Sequence, residues 1–304
     1  MTARDAILTQ DRLGLLVMAL SVVMFTALDT SAKWLILAGL APLQVVFARY
    51  AFHLLIALIW FVPLEGARAL RSSDPKLQLL RSAFLLGATI LNFYAIRALP
   101  LTTVMTIFFT GPMLTTLLAI PLLGERVDLR QILASVAGFC GVLIIVQPWG
   151  AQIQLEMLFA LAGMAMASGY FLLTRKMAAR EANSTAQIWS STLGALILAP
   201  LIVAEWVWPQ GALQWVIFLA VGGFGFAAHV LATSAHRLAA ASLLAPVLYV
   251  QIVFASLAEA LIFDTLPTAP TLAGGAVIIL SGVYIWRHKG RETRLSPTHL
   301  LGIR

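Results

Sequence analysis

The sequence predicts an all-α membrane protein in which ten transmembrane helices form two inverted five-helix repeats. Stretches of about 20 apolar residues recur between Leu13 and Trp286, and each is long enough to cross a hydrocarbon core about 30 Å thick as a helix. Of the 304 residues, 61% are hydrophobic and 11% are charged, which leaves almost no material for a soluble domain. A helix satisfies its backbone hydrogen bonds within its own segment, as a lipid environment requires.

Short polar loops separate the apolar stretches and set the limits of the predicted spans. In chain order these are 13–37, 42–63, 79–97, 101–123, 129–147, 156–176, 185–206, 212–235, 240–263 and 270–287. The first is too long for the apolar region of a signal peptide and contains Asp29 and Lys33. We therefore expect it to remain in the protein as a transmembrane helix.

A weak internal repeat divides the spans into two groups of five. Shifting the sequence by 140 residues lays Ala95-x-Arg97 on Ala235-x-Arg237. We therefore predict two repeats, 13–147 and 156–287, followed by a cytoplasmic tail over 288–304. Because five is an odd number, the second repeat must enter the membrane from the side opposite to the first. Chance similarity between apolar helices is the alternative explanation.

The orientation follows from the basic residues, which membrane proteins concentrate on the cytoplasmic side. With ten spans both termini share one side, and if that side is the cytoplasm, all but three of the 20 lysines and arginines lie there. The exceptions are Lys33, Arg49 and Arg97. We predict a multi-pass protein of a bacterial-type inner membrane with both termini in the cytoplasm. The formal charge of +7 then needs no nucleic-acid partner, and the single cysteine, Cys140, excludes an internal disulfide.

Short motifs at the ends of the fourth and ninth spans and inside the fifth and tenth carry a family resemblance. They are Leu122-Leu123-Gly124-Glu125, Gly138-x-x-Gly141-Val142, Phe263-Asp264-Thr265-Leu266, Gly274-Gly275 and Ser281-Gly282-Val283. Over 13–287 the chain resembles the EamA-type drug/metabolite transporters, although Asp264 stands where that family usually has Glu. Within the superfamily it is most similar to amino-acid exporters, in particular those of the YddG type. The resemblance implies two five-helix repeats and export of aromatic amino acids, which the residues alone do not select.

Three charged residues inside the first two spans are the first candidates for a functional site. A charge at the bilayer centre is unfavourable by about 2.5–3.5 kcal/mol on insertion scales, so each needs a partner, water or a function. Asp29 and Lys33 share a helix face at i, i+4, and Arg49 lies at a similar depth in the next span. Either the three form a structural ion-pair cluster between the two helices, or they form a gate that breaks when the outer mouth opens.

Polar residues on the eighth and ninth spans are the next candidates. Glu259, Ser256 and Tyr249 fall on nearly one face of the ninth helix, where a lipid-facing helix would be apolar. Histidine titrates near neutral pH, which makes His229 on the eighth helix a candidate proton carrier. A histidine that is hydrogen-bonded between helices is the more common alternative. The stripe on the ninth helix is expected to face a cavity.

The remaining candidates for a cavity wall are hydroxyl, amide and aromatic side chains on the third, fourth and sixth helices. They are Asn92, Thr106, Thr110 and Tyr170. Threonine hydroxyls in membrane helices also bond to carbonyls of their own helix or join neighbouring helices, so a structural role is the alternative. Pro112 and Pro246 each remove a backbone hydrogen bond inside a span and are the candidate hinges.

A secondary carrier accounts for both the repeat and the sparse buried polarity. The sequence has no GxxxxGK[ST] phosphate loop, which excludes ATP hydrolysis by that route. We predict that a monomer moves a small amphipathic metabolite, in particular an amino acid, across the lipid bilayer by alternating access, without cofactor or metal. A nucleotide-sugar or a drug is the alternative substrate. Distant alternatives are a channel, which needs a continuous polar path, and an enzyme, which needs Ser168 to meet His229.

Overall fold

Helices form all the regular secondary structure in the residues that the computed structural model describes, which are 3–111, 113–114, 117–118, 129–147, 154–177, 180–238, 244 and 247–295. The α-helices delimited there are α1 Ala3–Leu37, α2 Pro42–Glu65, α3 Pro75–Ala98, α4 Leu101–Phe108, α5 Leu129–Val146, α6 Leu155–Met177, α7 Asn183–Ile202, α8 Gly211–Leu238, α9 Val250–Ile262 and α10 Ala269–Leu295. A 3₁₀ helix, Gly66–Leu70, follows α2. The candidate hinges Pro112 and Pro246 lie outside the described residues, as do parts of the fourth and ninth predicted spans.

Six of these helices are long and apolar enough to cross a membrane. Their apolar segments are Gln10–Leu37, Pro42–Leu70, Pro75–Ala98, Leu155–Thr174, Asn183–Ile202 and Gly211–Ala235. Shorter apolar helices occupy Ile132–Val146, Val250–Ile262 and Ala269–Tyr284. Large apolar side chains such as Leu261, which is 79% exposed, cover the outside of the bundle, where lipid replaces water as the solvent. The prediction of an all-helical membrane protein is therefore confirmed.

Proline, aspartate and glycine set the boundaries of the second and third helices. Pro42 and Pro75 stand in the first turns of α2 and α3, where the missing N–H has no intrahelical partner to lose. Asp74 caps α3 by accepting a hydrogen bond of 3.0 Å from the Leu77 N–H. Gly66, with φ of 61°, ends α2 in a conformation that side chains disfavour. The connection between α2 and α3 is consequently short.

The packing pairs helices of the first half with helices of the second. α1 packs on α8 and α3 packs on α6; α2 contacts α7 and α8, and α3 also contacts α7. α4 packs on α9, and α5 packs on α10. If α1 is exchanged with α6, α2 with α7, and so on to α5 with α10, the same set of contacting pairs is obtained. The two halves are therefore interlocked through equivalent contacts.

α5 and α10 cross at close range through glycines. A Cβ built on Gly141 would lie 2.8 Å from the Gly274 carbonyl oxygen and 2.8 Å from Ile278 Cγ1, which leaves no room for a side chain. Small residues allow such approach between membrane helices, where packing and close contact drive association. These glycines therefore serve helix packing.

At the predicted cytoplasmic end, Glu181 fastens the α2–α3 connection to the α6–α7 connection. Its Oε1 accepts hydrogen bonds from the Ser72 hydroxyl at 2.8 Å, the Ser73 hydroxyl at 2.7 Å and the Ser73 N–H at 2.6 Å. We call this contact the cytoplasmic clasp. Partial burial raises the pKa of Glu181, but the hydrogen bonds outweigh that effect and leave the pKa below its ordinary value of 4.5.

We expect Gly141→Ala to lower the thermal unfolding midpoint in detergent by several degrees. The added methyl would meet the α10 backbone, and overpacking of this kind is unfavourable by about 1–3 kcal/mol. The matched control is Gly223→Ala in α8, where the nearest atom to a new Cβ is Ile56 Cδ1 at 3.8 Å. That control should be neutral or slightly stabilising, because alanine is the better helix former by about 0.5–1 kcal/mol. Equal midpoints for the two variants would contradict the close crossing.

The clasp should weaken in acid. A carboxylate with a lowered pKa stabilises the fold fully above its ordinary pKa of 4.5, and this contribution disappears as the pH falls through the lowered value. Thermal midpoints of wild type and Glu181→Gln, measured from pH 7 to pH 3, should differ by a constant amount down to about pH 4.5 and converge below it. The effect is expected to be small because the contact is largely exposed. A constant difference at every pH would show that the carboxylate charge has no role.

Candidate functional site

Four polar side chains from four helices meet inside the bundle, and we call Asp29, Arg49, Asn92 and His229 the central cluster. The Asn92 amide donates a hydrogen bond of 2.9 Å to Asp29 Oδ1. Arg49 Nη2 lies 3.0 Å from His229 Nε2. None of the four is more than 9% exposed. The cluster therefore joins α1 to α3 and α2 to α8 by polar contacts within an otherwise apolar environment.

Several polar atoms in and beside the central cluster are buried without a hydrogen-bond partner. They are Arg49 Nε and Nη1, Asn92 Oδ1, Thr30 Oγ1 and His53 Nε2. A buried polar atom that lacks a partner is unfavourable by about 1–3 kcal/mol, and by more when it is charged. Native proteins rarely retain such atoms without a ligand, water or functional role to account for them. The cluster thus offers unused donors on Arg49 and an unused acceptor on Asn92.

Asp29 and Arg49 carry opposite charges in this cluster but do not neutralise each other directly. The two side chains interact electrostatically, yet no ion pair of 4.0 Å or less joins them. The guanidinium of Arg49 instead stacks 4.6 Å from the centre of the Tyr50 ring. Tyr50 is in turn held by its hydroxyl, which lies 3.1 Å from Thr89 Oγ1. Stacking therefore fixes the guanidinium while two of its nitrogens stay unused.

Aromatic rings surround the His229 imidazole. The ring centre of Phe25 lies 5.1 Å away and that of Tyr170 lies 6.2 Å away, both in edge-to-face geometry. The His53 ring lies 6.1 Å away. Edge-to-face contacts at these distances are favourable and hold the rings in defined orientations. Aromatic rings thus bound the central cluster on the His229 side, and one of them belongs to the predicted site residue Tyr170.

A second polar contact lies nearer the predicted outer end, and we call it the outer lock. Lys33 Nζ lies 2.7 Å from Glu259 Oε1 and donates to the Leu99 carbonyl at 3.0 Å. The Leu101 N–H, at the start of α4, donates to the same carboxylate oxygen at 2.6 Å. The Lys33 and Glu259 residues are 6% and 0% exposed. The outer lock therefore ties α1 and α9 to the connection between α3 and α4.

The prediction that Asp29, Lys33 and Arg49 form an ion-pair cluster with one another is wrong, because each of them contacts another residue. Within the described residues the ion pair formed is Lys33 with Glu259, while Asp29 and Arg49 turn to Asn92 and His229. Shared faces at i, i+4 allow two side chains to meet but do not require it. Lys33 has the length to cross to α9, where Glu259 would otherwise be buried without a cation.

The hydroxyls predicted to line a cavity bond mainly within their own helices. Thr106, Thr110 and Ser256 donate to carbonyls three or four residues earlier at 2.6, 2.7 and 2.8 Å. This is the alternative that the sequence left open for threonines in membrane helices. Ser256 Oγ also lies 3.4 Å from Thr102 Oγ1 and so joins α9 to α4. None of the three belongs to the central cluster.

Tyr249, predicted as a cavity residue, lies in the packing between helices. Its ring centre is 5.5 Å from that of Phe109 in edge-to-face geometry. Its hydroxyl occupies the space that a side chain at Gly282 of α10 would need. The structure therefore places Tyr249 against the glycine-rich face of α10 and apart from Asp29 and Arg49.

Two buried residues that line the bundle interior were missed by the sequence reasoning. Arg81 was counted among the basic residues of the cytoplasmic side, yet it is 2% exposed and donates to the Tyr170 hydroxyl at 3.1 Å. His53 is 3% exposed and lies one turn from Arg49 on α2. A signal was present for Arg81, because Gln78, Arg81 and Ser82 recur at helical spacing on one face of α3.

The serine and histidine of the enzyme alternative do not meet. Ser168 donates to the Met164 carbonyl at 2.9 Å and to the Gly111 carbonyl at 3.1 Å, while His229 contacts Arg49. No group of three or more histidine, cysteine, aspartate or glutamate residues suited to a metal ion occurs in the described part of the chain. The charged and hydrogen-bonding side chains of the central cluster are suited to reversible binding.

Comparison with known proteins identifies the family to which this arrangement belongs. The model of the EamA-like transporter family matches twice, over residues 12–147 and 154–287. The chain belongs to the EamA-like transporter family. It is accordingly a multi-pass membrane protein of a family that transports small molecules. The family resemblance read from the motifs is confirmed, whereas the narrower YddG-type resemblance stays a prediction.

Relatives of this family member carry different small molecules. The chain is 27% identical to an S-adenosylmethionine uptake transporter of Rickettsia bellii, over 88% of this chain and 90% of the relative. It is 24% identical to a riboflavin transporter of Vibrio cholerae, over 84% and 86% of the two chains. It is 25% identical to a pseudopaline exporter of Pseudomonas aeruginosa, over 83% and 88%. One crystal structure of another protein, at 18% identity, has a TM-score of 0.63 over 92% of this chain and 98% of that one, which shows a shared fold.

The outer lock predicts a characteristic double-mutant result. Lys33→Met leaves a buried carboxylate without its cation, and Glu259→Gln leaves a buried ammonium without its anion, so each single change should destabilise by about 3–5 kcal/mol. The double variant removes both charges and keeps an acceptor for the Leu101 N–H, so it should be more stable than either single variant. Thermal or chemical unfolding in detergent provides the measurement. Additive losses in the double variant would mean that the two charges do not depend on each other.

Proposed function

We propose that this EamA-family protein is an ATP-independent secondary carrier for a metabolite that bears an amino-acid headgroup. The observation that carries the proposal is the central cluster, where unused donors of Arg49 and the carboxylate of Asp29 are buried together without pairing. A zwitterion presents one negative and one positive group a few bonds apart. It would satisfy both sides of the cluster at once.

The two charges of the headgroup have distinct partners in this proposal. The Arg49 guanidinium, with Nε and Nη1 unused, would donate to the α-carboxylate, as arginine commonly does with carboxylates. The α-ammonium would donate to Asp29 and to Asn92 Oδ1, which has no partner of its own. Hydrogen bonds to charged groups contribute about 1.5–3 kcal/mol each. Binding would also neutralise buried charges that the bundle otherwise leaves unpaired.

The aromatic faces around His229 favour a flat apolar side chain on the substrate. Phe25 and Tyr170 stand at the edge of the central cluster, where such a side chain could stack. Aromatic and other apolar amino acids are therefore the proposed substrates, and export is the direction that the family resemblance implies. Nucleotide-sugars fit less well, because a polyanion would call for more cations than the single arginine of the central cluster.

S-adenosylmethionine is a second candidate. It carries the same α-amino and α-carboxylate groups together with a flat adenine ring, so the central cluster suits it by the same argument. Support comes from the Rickettsia bellii relative, which is named as its uptake transporter. The two candidates differ in the side chain, which makes them separable by direct competition.

Alternating access between two inverted five-helix repeats, 13–147 and 156–287, is the proposed mechanism. Support comes from helix pairs that are unchanged when each helix is exchanged with its counterpart. It also comes from the connections: Gln44 at the start of α2 bonds Val207 of the α7–α8 connection at 2.6 and 3.0 Å. At the opposite end, Ser184 at the start of α7 bonds Glu65 at the end of α2. Both contacts are formed in this structure, and breaking one of them at a time would open the two mouths in turn.

The outer lock is the proposed outer gate. Opening toward the outside would separate α1 from α9 and break the contact of Lys33 with Glu259. No charged residue occurs between Leu101 and Leu123, the region of the first half that corresponds to α9. The cytoplasmic mouth would therefore open without breaking an equivalent ion pair. The proposal places both termini in the cytoplasm of a bacterial inner membrane and takes the working unit to be a monomer.

Counterflow into proteoliposomes preloaded with unlabelled compound tests the function. Labelled L-phenylalanine and S-adenosylmethionine should accumulate transiently, whereas a nucleotide-sugar and a neutral sugar should not. Repeating the assay with and without a pH gradient separates proton coupling from facilitation. Counterflow of the nucleotide-sugar alone would overturn the proposal.

Substitutions in the central cluster test the assignment of the headgroup. Asp29→Asn and Arg49→Gln should each reduce counterflow at least about 10-fold, because each removes a charged hydrogen-bond partner. The matched controls are Asp264→Asn and Arg97→Gln, which make the same changes at exposed positions and should transport normally. Wild-type rates for both cluster variants would remove these residues from the mechanism.

A further inference from the structure

A second group of buried polar residues lies on α3, closer to the predicted cytoplasmic end than the central cluster. Gln78, Arg81 and Ser82 share one face of the helix at i, i+3 and i+4. They are 0%, 2% and 0% exposed. Arg81 is the seventh residue of α3, so it lies about 9 Å along the helix from Pro75. Arg81 is therefore a buried residue of the bundle and not an exposed residue of the helix end.

Arg81 is held entirely by neutral groups. Nε donates to Thr174 Oγ1 at 2.7 Å, Nη1 donates to Ser190 Oγ at 3.2 Å and to the Ala186 carbonyl at 3.3 Å, and Nη2 donates to the Tyr170 hydroxyl at 3.1 Å. These bonds fix the geometry but supply no negative charge. Within the described residues no ion pair involves Arg81. Its positive charge is consequently left for another anion.

The Gln78 side chain is the second and independent observation. Both its Oε1 and its Nε2 are buried without a hydrogen-bond partner. An amide that is fully buried and wholly unpaired is rare, because each orphaned atom is unfavourable by about 1–3 kcal/mol. One donor and one acceptor thus stand unused one turn from an arginine that lacks a counter-ion.

A cavity lies near this position, although neither Gln78 nor Arg81 lines it. It has a volume of about 310 Å³ and lies between the start of α3 and the end of α6. Its wall includes Leu77, the neighbour of Gln78, and Met177, which stands three residues beyond the Arg81 partner Thr174. Ligand pockets for small molecules begin near this volume. A molecule the size of an amino acid in this cavity would lie beside the helical turn that carries Gln78.

We propose that Gln78 and Arg81 form a second, weaker headgroup site that the substrate occupies on its way between the cytoplasm and the central cluster. This inference rests on the proposed function. The α-carboxylate would bind the remaining N–H of Arg81 Nη2 and Gln78 Nε2, and the α-ammonium would donate to Gln78 Oε1. The arrangement repeats the central cluster, where an arginine is likewise accompanied by an amide oxygen without a partner.

Tyr170 connects the two sites. Its hydroxyl accepts from Arg81, its ring centre is 4.8 Å from the Arg81 guanidinium, and the same ring lies 6.2 Å from that of His229. A substrate headgroup that leaves Arg49 would therefore reach Arg81 after it passes the Tyr170 ring. The second site lacks a carboxylate to match Asp29, so it should hold the ammonium less tightly and release it readily.

Equilibrium dialysis of the full chain in detergent, with labelled L-phenylalanine or S-adenosylmethionine as probe, tests the proposal. Wild type should bind two molecules per chain, the second at least about 10-fold more weakly. Gln78→Met and Arg81→Lys should each abolish the weaker phase and keep the tighter one. Arg49→Lys should do the reverse. The matched control Arg97→Lys, at the exposed outer end of α3, should keep both.

A wild-type protein that performs counterflow but binds one molecule per chain would overturn the second site alone. The same conclusion follows if Gln78→Met and Arg81→Lys, with wild-type unfolding midpoints, both keep the weaker phase. Gln78→Met changes no charge and so remains informative if Arg81→Lys fails to fold. Absence of both counterflow and saturable binding with either probe would instead reject the proposed function, and the second site with it.

Discussion

The buried ion pair between Lys33 and Glu259 ties the two halves of the bundle together at its predicted outer end. It joins α1, α9 and the connection between α3 and α4, and its carboxylate also satisfies the first free N–H of α4. Such pairs are weak evidence for stability, because removing two charges from water offsets most of their attraction. Their value lies in specificity, since either charge without the other would be strongly disfavoured in the bundle. A contact with these properties suits a gate that must be closed or open and not partly closed.

The other buried charges, on Asp29, Arg49 and Arg81, form no ion pair with any residue that the structure describes. Arg49 and Arg81 are bound by neutral groups, and Asp29 is bound by an amide. Membrane interiors tolerate such charges where they serve a substrate path. Orphaned atoms of Arg49, Asn92 and Gln78 occur beside these charges, and Glu259 Oε2 and Trp206 Nε1 are also buried without a partner. The described part of the bundle therefore keeps unsatisfied polar atoms beside Arg81, in the central cluster and in the outer lock.

Hydroxyl groups behave differently from charges in this protein. Thr106, Thr110 and Ser256 return their hydrogen bonds to their own helices, which satisfies them without any tertiary partner. A periodic stripe of hydroxyls is therefore a poor guide to a cavity wall, because carbonyls of the same helix can accept their hydrogen bonds. A long charged or amide side chain does not bond to its own helix in this way and needs a partner on another helix or in a ligand. Buried Gln, Asn and Arg residues are the more informative signal.

The sequence by itself determined the helical membrane architecture and the family, because lipid permits few structures and the apolar stretches have the length that a bilayer demands. It also determined which charges needed an explanation, since Asp29, Lys33, Arg49 and Glu259 interrupt apolar spans. Only the tertiary structure decided their partners: Lys33 bonds Glu259, 226 residues away, in preference to Asp29 on its own helix. It likewise placed Arg81, which had been counted among the cytoplasmic basic residues, in the buried interior. Helical spacing fixes which residues share a face, whereas the partner across an interface depends on how helices far apart in the chain pack together.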